Sequence, residues 1–481
     1  MSNKKYYVTT SIAYTNAMPH IGYALETIQT DVLARFHRLQ GEDVLFLTGT
    51  DEHGAKVVKA AEKAGKTPEE FTDELSEKFK SLKKALNLSD DDFIRTTDQK
   101  RHWPVVKKIW LKLKENNDIY KKEYRGLYCV GCEAFITEKD LVDGKCRNHL
   151  KEPEVINEEN YFFKLSKYQK EIEKVIESDE VKITPEGRKN EMLSFINEGL
   201  EDVSFSRPRK DLQWGIPVPD DDSQTVYVWA DALVNYLSAL DYPSGEKFKK
   251  YWPADIHCVG KDILRFHAII WLGMLLSLKL PLPKNIFVHG HITSGGQKMS
   301  KSLGNVVDPF SLVEKYGVDP VRYFLLREIP STEDGDFTYE KFEERYNSDL
   351  ASGLGNLVAR VITLAEKSEI RNQKSEINPK FKTKIDDTFK NYKKALEEFK
   401  FNEALASVWE LISFCDKYIE KEKPWQNENQ ELRSKNQAVI GNLLFVIENI
   451  AEMLKPFLPE TSEKILEQLK TKKSEPLFPR I

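Results

Sequence analysis

The sequence predicts an α/β fold: a parallel nucleotide-binding sheet, split by a cysteine-bearing insertion and followed by an all-helical region. Three observations predict it. Residues 6–54 read as strand, loop, helix and strand in that order, the opening of a parallel α/β nucleotide fold. Two more buried strands, at 256–259 and 286–288, come much later, so a long segment interrupts the sheet. After about Tyr339 strand signals fade and amphipathic helical patterns take over, as in a helical bundle.

In chain order, residues 6–13 run apolar as a buried strand does. A loop of residues 14–19 follows. The helix opens at His20, with Ile21, Leu25, Ile28, Val32, Phe36 and Leu39 at helical spacing and Gly41 past its end. A second strand at 44–47 leads into Thr48-Gly-Thr-Asp51-Glu-His53-Gly54. The strands at 256–259 and 286–288 each end near a glycine; ligands of open α/β sheets bind at such carboxyl ends. An amphipathic helix is expected over 168–176, inside the insertion. Pro379, Pro424 and Pro456 mark breaks in the helical region, and the polar stretch 426–437 reads as a helix connection. The expected division is 1–115 and 216–338 for the two halves of the sheet domain, 116–215 for the insertion and 339–481 for the bundle.

Composition narrows the class. The 481 residues suggest two to four domains. With 40% apolar and 31% charged residues, the chain has the balance of a soluble protein with real cores. The most apolar stretch, 268–278, is too short to cross a membrane. The chain opens Met-Ser-Asn-Lys-Lys and runs directly into an apolar strand, so the expectation is no signal peptide and a cytoplasmic protein. A net charge of −5 announces no nucleic acid; RNA would have to be held by local Lys and Arg patches.

Five cysteines, three of them between 129 and 146, argue for reduced thiols and not for a disulfide framework. Cys129-Val-Gly-Cys132, then Cys146-Arg-Asn-His149, supply three thiolates and an imidazole in two knuckles. That set matches a closed tetrahedral zinc site, which leaves no position for water and is therefore structural, with one ion. A redox Cys-x-x-Cys is the alternative, and the second knuckle speaks against it.

Two further segments bear chemistry. Pro19-His20-Ile21-Gly22-Tyr23 sits at a strand-to-helix turn. There, unpaired backbone N–H groups and the helix dipole suit a phosphate, and a histidine can donate to a phosphate oxygen. Read alone, such a segment is more often a helix cap with a surface histidine. Gly295-Gly-Gln-Lys298-Met-Ser300-Lys301-Ser-Leu-Gly304 is a glycine-flanked loop with two lysines three apart, a mobile clamp for a triphosphate or simply a solvated basic loop.

Together the two segments resemble the signatures of class I aminoacyl-tRNA synthetases. Residues 20–23 resemble HIGH, with Tyr23 in place of the second histidine, and 298–302 match KMSKS at all five positions. A phenol at Tyr23 can donate a hydrogen bond but cannot become cationic near neutral pH. Thr48-Gly-Thr-Asp51-Glu-His-Gly, Trp214-Gly-Ile-Pro-Val-Pro219, Val228-Trp229-Ala-Asp231-Ala232 and Gly260-Lys-Asp262-Ile263-Leu-Arg-Phe-His267 look like blocks of the methionyl-tRNA synthetase family. The likeness runs nearly end to end.

The resemblance implies a Rossmann-type catalytic domain with a zinc-binding insertion and an all-α anticodon-binding bundle. It implies a ligase that activates L-methionine with ATP and transfers it to methionine tRNA, initiator and elongator alike. Ile12, Tyr14, Trp229, Ala232, Leu233, Tyr236, Ile263, His267 and Trp271 would form the methionine pocket. Asp51 would hold the α-ammonium. Gly22, Tyr23, Gly260, Asp262 and Ser300 would join His20, Lys298 and Lys301 at ATP and its Mg²⁺, with Asp262 on the ribose. His20, Lys298 and Lys301 would act catalytically by stabilising charge. Bacterial relatives often carry Pro where Leu233 stands. In the bundle, Asn356, Arg360 and Trp425 would read the anticodon by hydrogen bonds and stacking.

The physics agrees with an aromatic pocket for a thioether, which is apolar and polarizable; His267 would touch its sulfur. The insertion of about a hundred residues is too short for a separate editing domain. No membrane partner is expected, and with no appended dimerisation domain a monomer is the default. The rivals are a cysteinyl- or branched-chain-type synthetase and a non-catalytic tRNA-binding protein.

Overall fold

The computed structural model describes residues 4–129, 131, 134–136, 138, 141–147, 150–299, 304–368, 377–426 and 430–481. Their contacts divide the chain into two compact units. The first comprises Met1–Pro19, His37–Lys83 and Ser89–His289; the second comprises His20–Phe36, Lys84–Leu88 and Gly290–Ile481.

The first unit is built on a seven-stranded sheet. Its strands are β1 (Lys5–Thr10), β2 (Ala13–Tyr14), β3 (Asp43–Asp51), β4 (Asp92–Arg95), then, after the insertion, β7 (Lys182–Thr184), β8 (Ile256–Gly260) and β9 (Asn285–His289). The order across the sheet is β7-β9-β8-β1-β3-β2, with β4 also on β3, and each of these pairings is parallel. Tyr7, Val8 and Phe46 at its centre are fully buried, as parallel strands covered on both faces require. The expected single strand over 6–13 is two strands. The chain bends after Thr10, and Tyr14 then pairs beside Asp51.

The insertion is a long antiparallel pair, β5 (Ile119–Cys129) and β6 (Glu154–Phe163), in register from Ile119↔Phe163 to Tyr128↔Glu154. The expected helix over 168–176 is present as Gln169–Glu177. Cys132 and His149 lie outside the described residues.

In the second unit, α1 (Ile21–Leu39) begins one residue after His20, and Gly41 past its end has φ 77°. The helical region holds α3 (Val318–Arg327), α4 (Asn356–Lys367), α5 (Pro379–Glu397), α6 (Phe401–Glu422), α7 (Gln430–Leu454) and α8 (Pro459–Thr471); α2 is the short helix Val228–Ala232 of the first unit. The bundle core follows the helical period: Leu405, Val408, Ile412, Cys415 and Ile419 of α6 are buried, as are Val439, Leu443, Val446, Ile447 and Ile450 of α7.

Two sequence readings shift. Pro379 opens α5 at its first turn, where a missing N–H costs nothing. From Gln430 onward the polar stretch is already α7, because tertiary contacts override its composition: Asn436 is buried and donates to the Gln426 carbonyl at 2.6 Å. By length and composition α7 is the one described helix that would pass for a membrane span. Its buried apolar stripe makes it a core helix of the bundle.

Arg322 of α3 ties this unit together. The guanidinium is fully buried and meets Asp31 of α1 at 2.8 Å. It also meets the carbonyls of Leu86 at 3.1 Å, Pro456 at 2.9 Å and Phe457 at 2.7 Å. Asp31 also accepts from Arg35 at 2.8 Å. A buried charge is tolerated only when paired and hydrogen-bonded in this way, so α1, residues 84–88, α3 and the α7–α8 turn are held in one arrangement.

Candidate active site

The predicted amino-acid pocket assembles in the first unit. Ile12 and Tyr14 lie on the segment leaving β1. Thr15 donates through its backbone N–H and its hydroxyl to the Asp51 carbonyl, at 2.9 and 3.1 Å. This fixes the loop beside the end of β3, where Asp51 is buried. Gly260 ends β8, and Asp262 lies in the tight turn Lys261–Ile263 that follows. All these residues therefore sit at carboxyl ends of parallel strands. Ile12, Leu233, Tyr236, Ile263 and Trp271 share one hydrophobic cluster with Phe266.

His267 and Trp271 come from a π-helical stretch, Phe266–Trp271, a rare geometry that accumulates at functional sites. The ring of Tyr236 lies 5.8 Å from each of them. Trp229, next to Ala232 on α2, stacks on Phe266 with centroids 3.4 Å apart and planes 8° from parallel. Among the described residues its buried indole N–H has no acceptor.

Hydrogen bonds fix the protonation of this pocket. His267 Nδ1 lies 3.0 Å from the Ile263 carbonyl, which can only accept, so Nδ1 carries the proton. Nε2 then accepts from the Tyr236 hydroxyl at 2.7 Å. Burial pushes the pKa of His267 down to about 4. His257, on β8, behaves alike. Its Nε2 accepts from the Trp271 indole at 3.3 Å, so Nδ1–H donates to Thr9 at 2.8 Å, and burial holds its pKa well below the ordinary value. The pocket wall is thus polar in places but uncharged. With both nitrogens of His267 engaged, its contact with a thioether would be made by the ring and not by an N–H.

A second buried constellation stands beside it. Asp231, fully buried, accepts from His53 Nδ1 at 2.6 Å and from His102 Nε2 at 2.7 Å; these two imidazoles, more than offsetting burial, hold its carboxyl below the usual range. Glu52 is fixed by both nitrogens of Arg95 at 2.8 Å, and Trp214 donates to its carbonyl at 2.6 Å. The recognised block 48–54 is therefore pinned on several sides. His257 and His102 escaped the sequence reading, and His53 and Phe266 stood in the quoted blocks without a role. A histidine inside the apolar run 256–259 was the one available signal.

The phosphate-binding candidates are in the second unit. The four N–H groups that open α1 are already taken. Ile21 donates to the Val307 carbonyl at 3.0 Å, Gly22 to His20 Nδ1 at 3.0 Å, and Tyr23 and Ala24 to the His20 carbonyl. The expectation of open amides is thus replaced by one outward donor. With Nδ1 accepting, the proton of His20 sits on Nε2. The ring is open to solvent on one side, yet the protein packed around it and the nearby His291 lower its pKa. Gly22 lets the His20 ring lie in this position, because a Cβ would come within 2.8 Å of it and push it aside.

Lys298 is exposed on a short hairpin, Ile292–Ser294 against Gln297–Lys298. Gly295 and Gly296 at its tip have φ 60° and 75°, as a two-residue type I′ turn demands. Asp336 ties the tip down through the Gly296 amide and Thr293, both at 2.7 Å. Ser300 and Lys301 lie outside the described residues.

In the bundle, Asn356 is exposed at the start of α4. Arg360 meets Glu420 at 2.6 Å and Asp416 at 3.8 Å, near the end of α6. Lys423, with φ 48°, terminates α6 in a left-handed cap, and Trp425 just beyond is 47% exposed. The structure thus gathers Arg360 and Trp425 at one end of α6 and leaves the indole available for stacking.

The low pKa of His267 has a consequence for stability. The unfolded histidine binds a proton below about pH 6.5, whereas the folded one stays neutral down to about 4. Stability is therefore complete above pH 6.5 and is lost as pH falls from there to 4, by about 3 kcal/mol from this group. Denaturant unfolding across this range should show that loss, and His267→Gln should flatten it.

Comparison with known proteins agrees with this geometry. The family profile described as tRNA synthetases class I (M) matches residues 6–151 and 136–362, and the anticodon-binding domain of tRNA ligase matches 379–479. The methionine–tRNA ligase of Caldanaerobacter subterraneus is 46% identical, over 97% of this chain and 74% of its own. That of Brucella suis is 42% identical, over 98% of this chain and 92% of its own. The structure of Mycobacterium tuberculosis methionyl-tRNA synthetase in complex with methionyl-adenylate superposes with TM-score 0.93 at 37% identity, covering 99% of this chain and all of that one. With its parallel sheet, neutral aromatic pocket and helical bundle, the chain belongs to the methionine–tRNA ligases, in class I of the aminoacyl-tRNA synthetases.

Proposed function

We propose that this chain activates L-methionine with ATP and charges methionine tRNA, with the residues already named in the following roles. The observations that support the reading are the uncharged aromatic pocket of Tyr236, His267, Trp271 and Trp229, and the buried Asp51 at the carboxyl end of β3. An apolar, polarizable side chain suits those walls, and the buried Asp51 carboxylate suits the α-ammonium of the amino acid. Both must be satisfied at once.

The methionine carboxylate attacks the α-phosphate of ATP, and pyrophosphate leaves. The 2′-hydroxyl of the terminal adenosine of tRNA then takes the methionyl group, releasing AMP. No protein nucleophile is involved. Catalysis comes from positioning and from charge stabilisation by His20 Nε2–H, Lys298 and Lys301. Gly260 and Asp262 hold the nucleotide, and Mg²⁺ arrives with the ATP phosphates. Within residues 116–215, whose strand β7 joins the main sheet, the antiparallel pair β5–β6 serves as the connective insertion, and Asn356, Arg360 and Trp425 read the anticodon. The protein works in the cytoplasm as a monomer.

Two buried thiols, Cys129 and Cys146, share a small cluster with Ile136, a donor set suited to zinc. With Cys132 and His149 they would hold one ion, whose chemistry is structural: it would clamp the two knuckles at the tip of the insertion.

Two measurements test these readings. Methionine should support ATP–pyrophosphate exchange where leucine and cysteine do not; exchange driven by either of those would refute the specificity. Trp425→Ala should leave that exchange intact and slow tRNA charging about fivefold or more, since stacking contributes about 1–3 kcal/mol per base. For the metal, elemental analysis should find about one zinc per chain, lost in Cys129→Ser with the exchange reaction largely kept. A zinc-free wild-type enzyme would contradict the assignment.

A further inference from the structure

Away from the sites above, a groove of about 580 Å³ opens on the helical bundle. It is lined by Arg327 at the end of α3, Lys384 of α5, and Trp409, Glu410, Phe414 and Lys417 of α6. Three cations thus face one carboxylate. Among the described residues none of the four charged groups has an ion-pair partner. The Nε–H of Arg327 is shut off from solvent and has no acceptor, a costly arrangement for a buried donor.

The wall behind these groups is fixed. The Tyr323 and Trp409 rings lie 4.6 Å apart. Tyr323 donates to the Asp349 carboxylate at 2.8 Å and Trp409 to the Asp349 carbonyl at 3.3 Å. Phe414 packs edge-on against Phe381, 5.4 Å away, and the Lys380 ammonium lies 6.0 Å from the centre of the Phe414 ring. A rigid aromatic floor with unpaired cations above it has the chemistry of a nucleic-acid backbone site: phosphate oxygens complement the guanidinium and ammonium groups, and sugars or bases can rest on the rings.

Its position on α6 identifies which backbone. Lys417 is three residues before Glu420, the residue that holds Arg360, or about 5 Å along the helix. Trp409 is about 16 Å from Glu420 by the same rise. The groove therefore runs along α6 away from the end where Arg360 and Trp425 stand.

We infer that this groove binds phosphates of the tRNA arm that continues from the anticodon loop, as a sequence-independent clamp. The inference rests on the reading of Arg360 and Trp425 as anticodon contacts.

Lys384→Gln/Lys417→Gln, and the same pair with Arg327→Gln, test it through binding of a methionine tRNA transcript between 50 and 200 mM salt. The triple variant should lose about tenfold or more in affinity, and the slope of log K against log[salt] should shrink by about 2. The double variant, which leaves the half-buried arginine in place, should show a smaller loss in the same direction. A transcript with an altered anticodon should weaken by the same factor, because phosphate contacts carry no sequence. Methionine-dependent exchange should not change.

Unaltered affinity and slope in both variants would overturn the inference. So would a loss confined to the cognate anticodon, or a groove that takes free AMP or ATP while tRNA binding is untouched. If the wild-type chain bound no methionine tRNA, the anticodon reading itself would fall, a result distinct from failure of the groove alone.

Discussion

The hydrogen bond from the Tyr236 hydroxyl to His267 Nε2, continued through Nδ1–H to the Ile263 carbonyl, is the constraint on which the amino-acid site depends. It makes a buried histidine neutral and immobile. A cationic ring at that position would draw anionic side chains into the pocket and would carry a large desolvation cost. A neutral one leaves an apolar cavity whose polar atoms are satisfied among themselves. The parallel chain from Trp271 through His257 to Thr9 does the same for the strand behind. The π-helical turn Phe266–Trp271 places both His267 and Trp271 toward Tyr236, and it places Phe266 where Trp229 can stack on it. A neutral, aromatic surface suits a thioether, and in the proposed function the Asp51 carboxylate takes the ammonium group.

The second unit obeys a different constraint. Its key charge, Arg322, is buried and fully shared among Asp31 and three backbone carbonyls. Through Asp31 it anchors α1, whose first turn carries His20. The imidazole folds back so that its Nδ1 accepts from the Gly22 N–H, which leaves Nε2 as the ring's donor. In the proposed function, charge stabilisation at the phosphates falls to the imidazole N–H of His20 and to lysines that include Lys298, on a hairpin whose tip is set by Gly295 and Gly296. The helix amides expected to serve there are already engaged.

Much of this was legible in the sequence. The strands and helix of residues 6–54 carry clear periodicity, glycine punctuation marks their ends, and the pocket residues sit inside short blocks with strong family likeness. What was not legible depends on contacts between residues far apart in the chain. Nothing local announces that His53 and His102 converge on Asp231, or that Arg322, on an otherwise amphipathic helix, points inward. The π-helical stretch has the composition of an ordinary apolar helix, and α7 begins inside a polar segment because Asn436 finds a buried partner. Propensity and pattern describe single elements; these features are settled by tertiary packing.

The neutrality of the pocket is open to direct observation by ¹⁵N NMR of the histidine side chains. The account predicts that His267 and His257 are both neutral and protonated on Nδ1 between about pH 6 and 8, with methionine changing neither. A proton on Nε2 of His267, or an imidazolium at pH 6, would contradict it.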